Sequence, residues 1–272
     1  AMGYVWNTNK PDRPNYGIIE PQFVFVSPDG LSDWVSVRNN PVIKYDRLFK
    51  SRDYDYYVNS PAYAKNPDGS LARYQGKWVV AVVNFDGKDS HIQTLLSSDG
   101  LTWDERTTLW SGTETKTPPG SGDPGEQWVN SFIHNPDDGK WYLFYHGGGN
   151  KHSSSKPGTR TIGLAIGDSP KSMLPWDGEF RDGKYITQGP NVLRDAAGWL
   201  MVYGRGSRDG DGLWLARSSD LKHWSTSGVV IDGYVSISEL VALVQGDTVE
   251  WRIYGWKDHR ECIFTSTVPR VK

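Results

Sequence analysis

The stretch SSDGLTW, Ser97–Trp103, decides how this chain is read, because variants of it recur. SPDGLSDW runs from Ser27 to Trp34, SSDLKHW from Ser218 to Trp224, and the looser GDSPKSMLPW ends at Trp176. A short apolar run precedes each copy: FVFV before Ser27, IQTLL before Ser97, IGLAI before Gly167 and LWLAR before Ser218. A second strand-like run follows, such as VSVRNNPVI or STSGVVI. Asp and Gly set a tight turn, and Trp is expected to pack between neighbouring units. Strand, turn, Trp, strand at roughly 50–70-residue intervals is the pattern of a β-propeller blade.

An inner hairpin repeats as well. NSPAYAKNPDG turns at Asn66–Gly69 and returns as KWVVAVVNF. Similar hairpins cover Asn130–Gly147, Gly189–Gly206 and Ser238–Trp256. Four clear inner hairpins, with a degenerate first unit built from FVFV and VSVRNNPVI, predict an all-β, five-bladed β-propeller. It would form a single domain over 1–272, with residues 1–22 partly irregular and Ala1-Met2 resembling a cloning scar. Helical periodicity is absent.

Composition narrows the function. Net charge is −2 and no basic run exceeds two residues, which argues against nucleic acid. The apolar runs are strand-sized, so no membrane span is expected. The one cysteine, Cys262, forbids an internal disulfide and is expected to be buried and inert in ECIFT. The chain carries 13 Trp and 14 Tyr, which serve inter-blade packing or sugar stacking; packing must account for most of them, and composition alone does not separate the two uses.

In an up-and-down blade the start of the first strand and the loop between the second and third share one face; the NPDG and SSDG turns fall on the other. The first face gathers Asp53, Asp55, Asn59 and Ser60; then Glu126, Trp128, Asn130 and His146; then Gln188, Asn191 and Arg205; then Glu239, Asp258, His259 and Arg260. The long loops Gly112–Glu126 and Gly147–Arg160 lie there too, and loops of that length tend to carry function.

DGKWYLFY after an inner-strand start, IGLAIGDSP, SSDLKHW and GPNV before a hairpin occur here in the order seen in five-bladed glycoside hydrolases. From about Phe23 onward the chain resembles glycoside hydrolase family 43 and the related families 32 and 68. The resemblance implies cleavage of glycosidic bonds by carboxylates on the inner strands. One acid protonates the leaving oxygen, and one carboxylate activates water or attacks the sugar. In inverting enzymes the two stand roughly 6.5–9.5 Å apart.

The chain departs from that pattern where it matters most. Ser60-Pro61 and Asn130 stand where the family usually has Asp, and Gln188-Gly189-Pro190 stands where it often has Glu-Gly-Pro with the general acid. None of the three can serve as a carboxylate. Either the acids have moved, the catalytic Asp lies in the first blade, Gln188 is an introduced inactivating substitution, or the chain is not a hydrolase.

The remaining carboxylates are ranked by place. Glu239 interrupts the apolar run ISELVAL, where a charge needs a purpose; the plain alternative is an ion pair with Arg205 or Arg260. Asp55 and Glu126 precede inner strands, and Glu20 precedes Pro21; each is otherwise a solvated loop charge. Ser60, Trp128, Asn130, His146, Gln188, Arg205 and His259 are expected to contact sugar. His134 is read as structural. No cofactor is required. The family often holds a metal in the channel, so a structural Ca²⁺ is admitted, although no residue matches its usual histidine. The run RDGDG, Arg208–Gly212, lacks the rest of a calcium loop. SSDGLTW also resembles the sialidase Asp-box, one residue short.

Two readings follow. The first is a glycoside hydrolase-like protein acting on a polysaccharide or oligosaccharide, using Glu239 with Asp55, Glu126 or Glu20. The second is a non-catalytic carbohydrate-binding propeller, as in a phage receptor-binding or surface adhesion domain. Either is expected to be secreted or extracellular, and monomeric unless part of a larger assembly.

Overall fold

The computed structural model describes residues 2–4, 22–26, 33, 35–36, 57–85, 90–103, 105–111, 127–147, 161–180, 186–206, 212–232, 235–245, 248–257 and 260–269. Every regular element among them is a β-strand. The first group is β1 (Met2–Tyr4), β2 (Gln22–Val26) and β3 (Val35–Ser36), with β2 in the middle. Three antiparallel meanders follow. The first contains β4 (Tyr57–Lys65), a short β5 (Arg73–Tyr74), β6 (Lys77–Phe85), β7 (Ser90–Ser97) and β8 (Glu105–Ser111). The second contains β9 (Gln127–Asn135), β10 (Lys140–Gly147), β11 (Thr161–Gly167) and β12 (Leu174–Phe180). The third contains β13 (Ile186–Asp195), β14 (Gly198–Gly206), β15 (Gly212–Ser218) and β16 (Ser225–Asp232). Strands β17 (Val235–Gln245), β18 (Thr248–Lys257) and β19 (Arg260–Pro269) close the series.

Period-two alternation stacks these groups face to face. In β6, Val79, Ala81 and Val83 join Trp141, Leu143 and Tyr145 of β10 in one buried layer. The alternate residues of β10, Tyr142 and Phe144, face the other way and pack with Trp199, Met201 and Tyr203 of β14. Leu200 and Val202 of β14 then meet Leu240 and Ile253 of the last group. Strands β10 and β14 are thus apolar on both faces, because each is covered on both sides, and a one-residue slip would exchange their two sets of neighbours.

The recurrent turns adopt one geometry. Asp99 Oδ1 accepts the N–H groups of Leu101 (2.8 Å) and Thr102 (2.7 Å), and Trp103 Nε1 donates to the Gly100 carbonyl at 3.2 Å. In the second copy Asp220 Oδ1 accepts from Lys222 (2.9 Å) and His223 (2.8 Å), and Trp224 Nε1 donates to the Leu221 carbonyl at 3.0 Å. The residue after Asp is left-handed in both, Gly100 at φ 75° and Leu221 at φ 66°. Backbone N–H groups pull the Asp99 carboxyl down to about 2. At Asp220 burial opposes ionisation, but the N–H groups and the His223 ring outweigh it and hold the carboxyl below its usual range.

The expectation for the turn tryptophans is met at Trp224, which meets Phe144 of the preceding meander edge-on at 5.9 Å. Trp103 differs: it covers Val80, Val82 and Leu95 of its own meander. Cys262 is half-buried in β19 rather than buried, and Ile263 beside it is exposed.

Candidate functional site

The inner strands β4, β9, β13 and β17 each carry a bulge at the same register. Pairing is interrupted between Asn59 and Ala62 in β4, opposite Phe144/Tyr145 in β9, between Gln188 and Asn191 in β13, and between Ile237 and Glu239 in β17. The residues left out of the ladder are Ser60-Pro61, Asn130, Gly189-Pro190 and Ser238. Proline suits such a place, because it cannot donate to a ladder. Gly189 is left-handed, at φ 61°, which glycine adopts without strain. The positions where the sequence departs from the hydrolase pattern therefore fall on or beside bulges, which re-aim side chains near the strand ends.

His146, near the end of β10, is the hub of the described part of this region. Gly189 donates its backbone N–H to His146 Nδ1 at 3.2 Å, across from β13. The Asn130 side chain meets the same nitrogen at 2.6 Å. The Asn130 atom facing Nδ1 is Oδ1, so the two contacts ask opposite roles of that nitrogen, acceptor for the Gly189 N–H and donor to the Asn130 oxygen. Trp128 stacks on the imidazole, with ring centroids 5.2 Å apart and planes 17° from parallel. Gln188 passes over Gly204, where a Cβ would lie 3.3 Å from Gln188 Cγ. The Arg205 guanidinium lies on the Trp214 ring, 3.8 Å from its centroid.

Among the described residues, buried polar atoms without partners cluster at this same end of the blades. They include both amide atoms of Asn84 near the end of β6, Thr161 Oγ1 at the start of β11 and Trp214 Nε1 in β15. The opposite end satisfies its polar groups through the Asp-centred turns.

Of the residues singled out in the sequence, Trp128, Asn130, His146 and the Gln188–Gly189 peptide come together. Arg205 stands beside them on β14. Ser60 and Glu239 are placed by their backbones alone, Ser60 in the bulge of β4 and Glu239 opposite Tyr254 of β18. Asp55, Glu126, Glu20 and His259 lie outside the described residues, as do Asp53, Asp123, Asp258 and Arg208–Asp211. Among the described residues, no three of His, Cys, Asp or Glu are grouped to hold a metal.

Sequence reasoning placed Asn191 on the candidate face but missed Ser131 and Lys65, and with them the bonds that join one inner strand to the next. Ser131 Oγ accepts the Val192 N–H at 3.1 Å. Asn191 Nδ2 donates to the Gly189 carbonyl (3.2 Å), and Asn191 Oδ1 accepts the Leu240 N–H (3.1 Å). Lys65 Nζ donates to the Leu240 carbonyl at 3.0 Å. Ser131, Asn191 and Glu239 share one register beside their bulges, a signal visible only when the hairpins are aligned by bulge.

No protein-family model and no curated protein sequence matches the chain. Solved structures match in shape. Inulosucrase from Halalkalicoccus jeotgali, bound to kestose, is 15% identical with a TM-score of 0.54, over 78% of this chain and 65% of that one. A family 117 glycoside hydrolase from Zobellia galactanivorans gives 15% and 0.56, over 78% and 66%. A levansucrase of B. megaterium gives 12% and 0.56, over 80% and 68%. The fold is that of the family 43, 32 and 68 glycoside hydrolase propellers. At these identities the likeness is one of fold, and the propeller here spans about two thirds of the length of those proteins. Its described strands contain no helix long and apolar enough to cross a membrane.

Proposed function

We propose that the chain is a single-domain, five-bladed propeller of the glycoside hydrolase kind. It acts on a polysaccharide or oligosaccharide at the end where the inner strands begin. The observation that carries this reading is the shared bulge of the inner strands. It brings Trp128, Asn130, His146 and the Gln188–Gly189 peptide together and sets Glu239 beside the matching bulge of β17. Trp128 offers a ring face to a sugar, while amide and imidazole groups suit hydroxyls that both donate and accept. Glu239 supplies one catalytic carboxylate and Asp55, Glu126 or Glu20 the other. The fold neighbours act on sugars by their names, which supports the substrate class by analogy.

A second reading, carbohydrate binding without hydrolysis, is favoured by one observation: the described side chains gathered around His146 include amides at Asn130 and Gln188 and no carboxylate.

The two are separated by assaying the protein against aryl glycosides and polysaccharides, beside Glu239→Gln and Gln188→Glu variants. Turnover abolished by Glu239→Gln establishes the hydrolase. Turnover appearing only with Gln188→Glu identifies an inactivated enzyme. Saturable glycan binding with no turnover in any of the three leaves the binding reading.

A further inference from the structure

We infer that the site is a blind pocket that admits the end of a glycan chain and not its interior, an inference that rests on the sugar-binding role proposed above for the bulge region. A propeller can leave an open channel along its axis. Here the inner strands close on one another just beyond the bulges, on the side away from the mouth. Strands β4 and β9 pair directly, in parallel, at Ala64–Phe132 and Lys65–Ile133. Ser131 Oγ on β9 accepts the Val192 N–H of β13 at 3.1 Å. Asn191 Oδ1 on β13 accepts the Leu240 N–H of β17 at 3.1 Å. Lys65 Nζ on β4 donates to the Leu240 carbonyl at 3.0 Å and completes the circuit. A strand residue turns its N–H and carbonyl to the same side, so both bonds of Leu240 lie on one edge of β17, which would otherwise present unpaired polar groups.

The circuit leaves no passage for a sugar. Paired strands lie about 4.8 Å apart, and the next two gaps are bridged by the short side chains of Ser131 and Asn191. The last gap is crossed by the lysine side chain itself. Lys65, Ser131, Asn191, Val192 and Leu240 are all buried, Lys65 being the most exposed of them at 9%. Water along an open axis would leave these groups exposed. Above this floor the walls are of even height. Each inner strand starts three residues before its bulge: Tyr57 before Ser60, Gln127 before Asn130, Ile186 before Gly189 and Val235 before Ser238. At about 3.3 Å per residue the walls stand roughly 10 Å above the bulges. Asn130, His146 and the Gly189 peptide meet at the bottom of that depth. A sugar reaching them is enclosed at its sides and stopped beneath, so an interior unit would have to enter and leave by one mouth. A hydrolase built this way adds one water across a linkage near the chain end and frees one small sugar per turnover. A binding protein built this way recognises chain ends.

The test uses inulin, levan, linear arabinan and xylan, each intact and after mild acid has shortened its chains. On any of them that the protein cleaves below KM, the rate at equal mass should rise about 10-fold for chains about 10-fold shorter, in step with the number of ends. One mono- or disaccharide should appear from the first minutes. Where the protein binds without cleaving, the half-saturating mass should fall by about the same factor. An early mixture of oligosaccharides, or a rate or half-saturating mass indifferent to the number of ends, overturns this inference and leaves the sugar reading standing. Neither cleavage nor binding with any of the four overturns both. Amide exchange tests the floor without a sugar: Val192 and Leu240 should exchange within about 10-fold of Leu143 and Val202, which lie in the middle of their strands. Exchange at the rate of exposed amides would reveal an open axis and overturn the inference on its own.

Discussion

Gly189 and His146 belong to different blades and are joined by a single hydrogen bond, the Gly189 N–H donating to Nδ1 at 3.2 Å. The bond ties the bulge of β13 to the end of β10. His146→Phe keeps a ring for Trp128 to stack on but leaves the Gly189 N–H without its acceptor. The expected cost is about 1–3 kcal/mol, the penalty of an unmet buried donor. A lower urea midpoint at unchanged m-value would show it, and an unchanged midpoint would show that the bond contributes nothing.

His134 should make the fold sensitive to mild acid. Its ring lies 4.6 Å from that of Trp141, and burial lowers its pKa below 6.5, partly offset by the Asp138 charge. Above 6.5 both folded and unfolded chains hold a neutral ring, so the site adds no pH dependence. As pH falls below 6.5 the unfolded chain takes up the proton first, and stability falls until the folded-state pKa is reached. Unfolding free energies of parent and His134→Phe, measured from about pH 7 to pH 5, should diverge in that window. Parallel curves would dismiss the effect.

Gly163→Ala should be costly. A Cβ there would stand 2.5 Å from Tyr145 Cζ, and Tyr145 is itself buried against Trp110 at 5.6 Å between ring centroids. Overpacking of this kind costs about 1–3 kcal/mol. Shrinking Tyr145 to Leu in the same chain should recover part of the loss, so the double-mutant cycle should be non-additive. Strict additivity would mean that Gly163 is kept for another reason.

The repeated architecture was legible because it is local. KWVVAVVNF, KWYLFYHG and GWLMVYG announce strands by alternation, and SSDGLTW and SSDLKHW announce turns through Asp, Gly and Trp at fixed spacing. Leu221 taking the left-handed place of Gly100 was not legible, since its burial beneath Trp224 holds a conformation that leucine alone disfavours.

The site was legible in part. Trp128, Asn130 and His146 could be placed on one face by counting strand directions. Their convergence on the Gly189 peptide could not, because it depends on how far the neighbouring blade is offset. Lys65 gave no sign at all: YAKNPDG reads as a strand running into a turn, and its ammonium gains meaning only from Leu240, 175 residues away in the chain. By itself the sequence determined the all-β class, the repeat and the turns, which follow from interactions within a few residues. Only the tertiary structure decided which inner-strand residues meet around His146 and which side chains hold Leu240. Those contacts join separate blades, and their geometry is set by sheet stacking and bulge register, which local sequence does not encode.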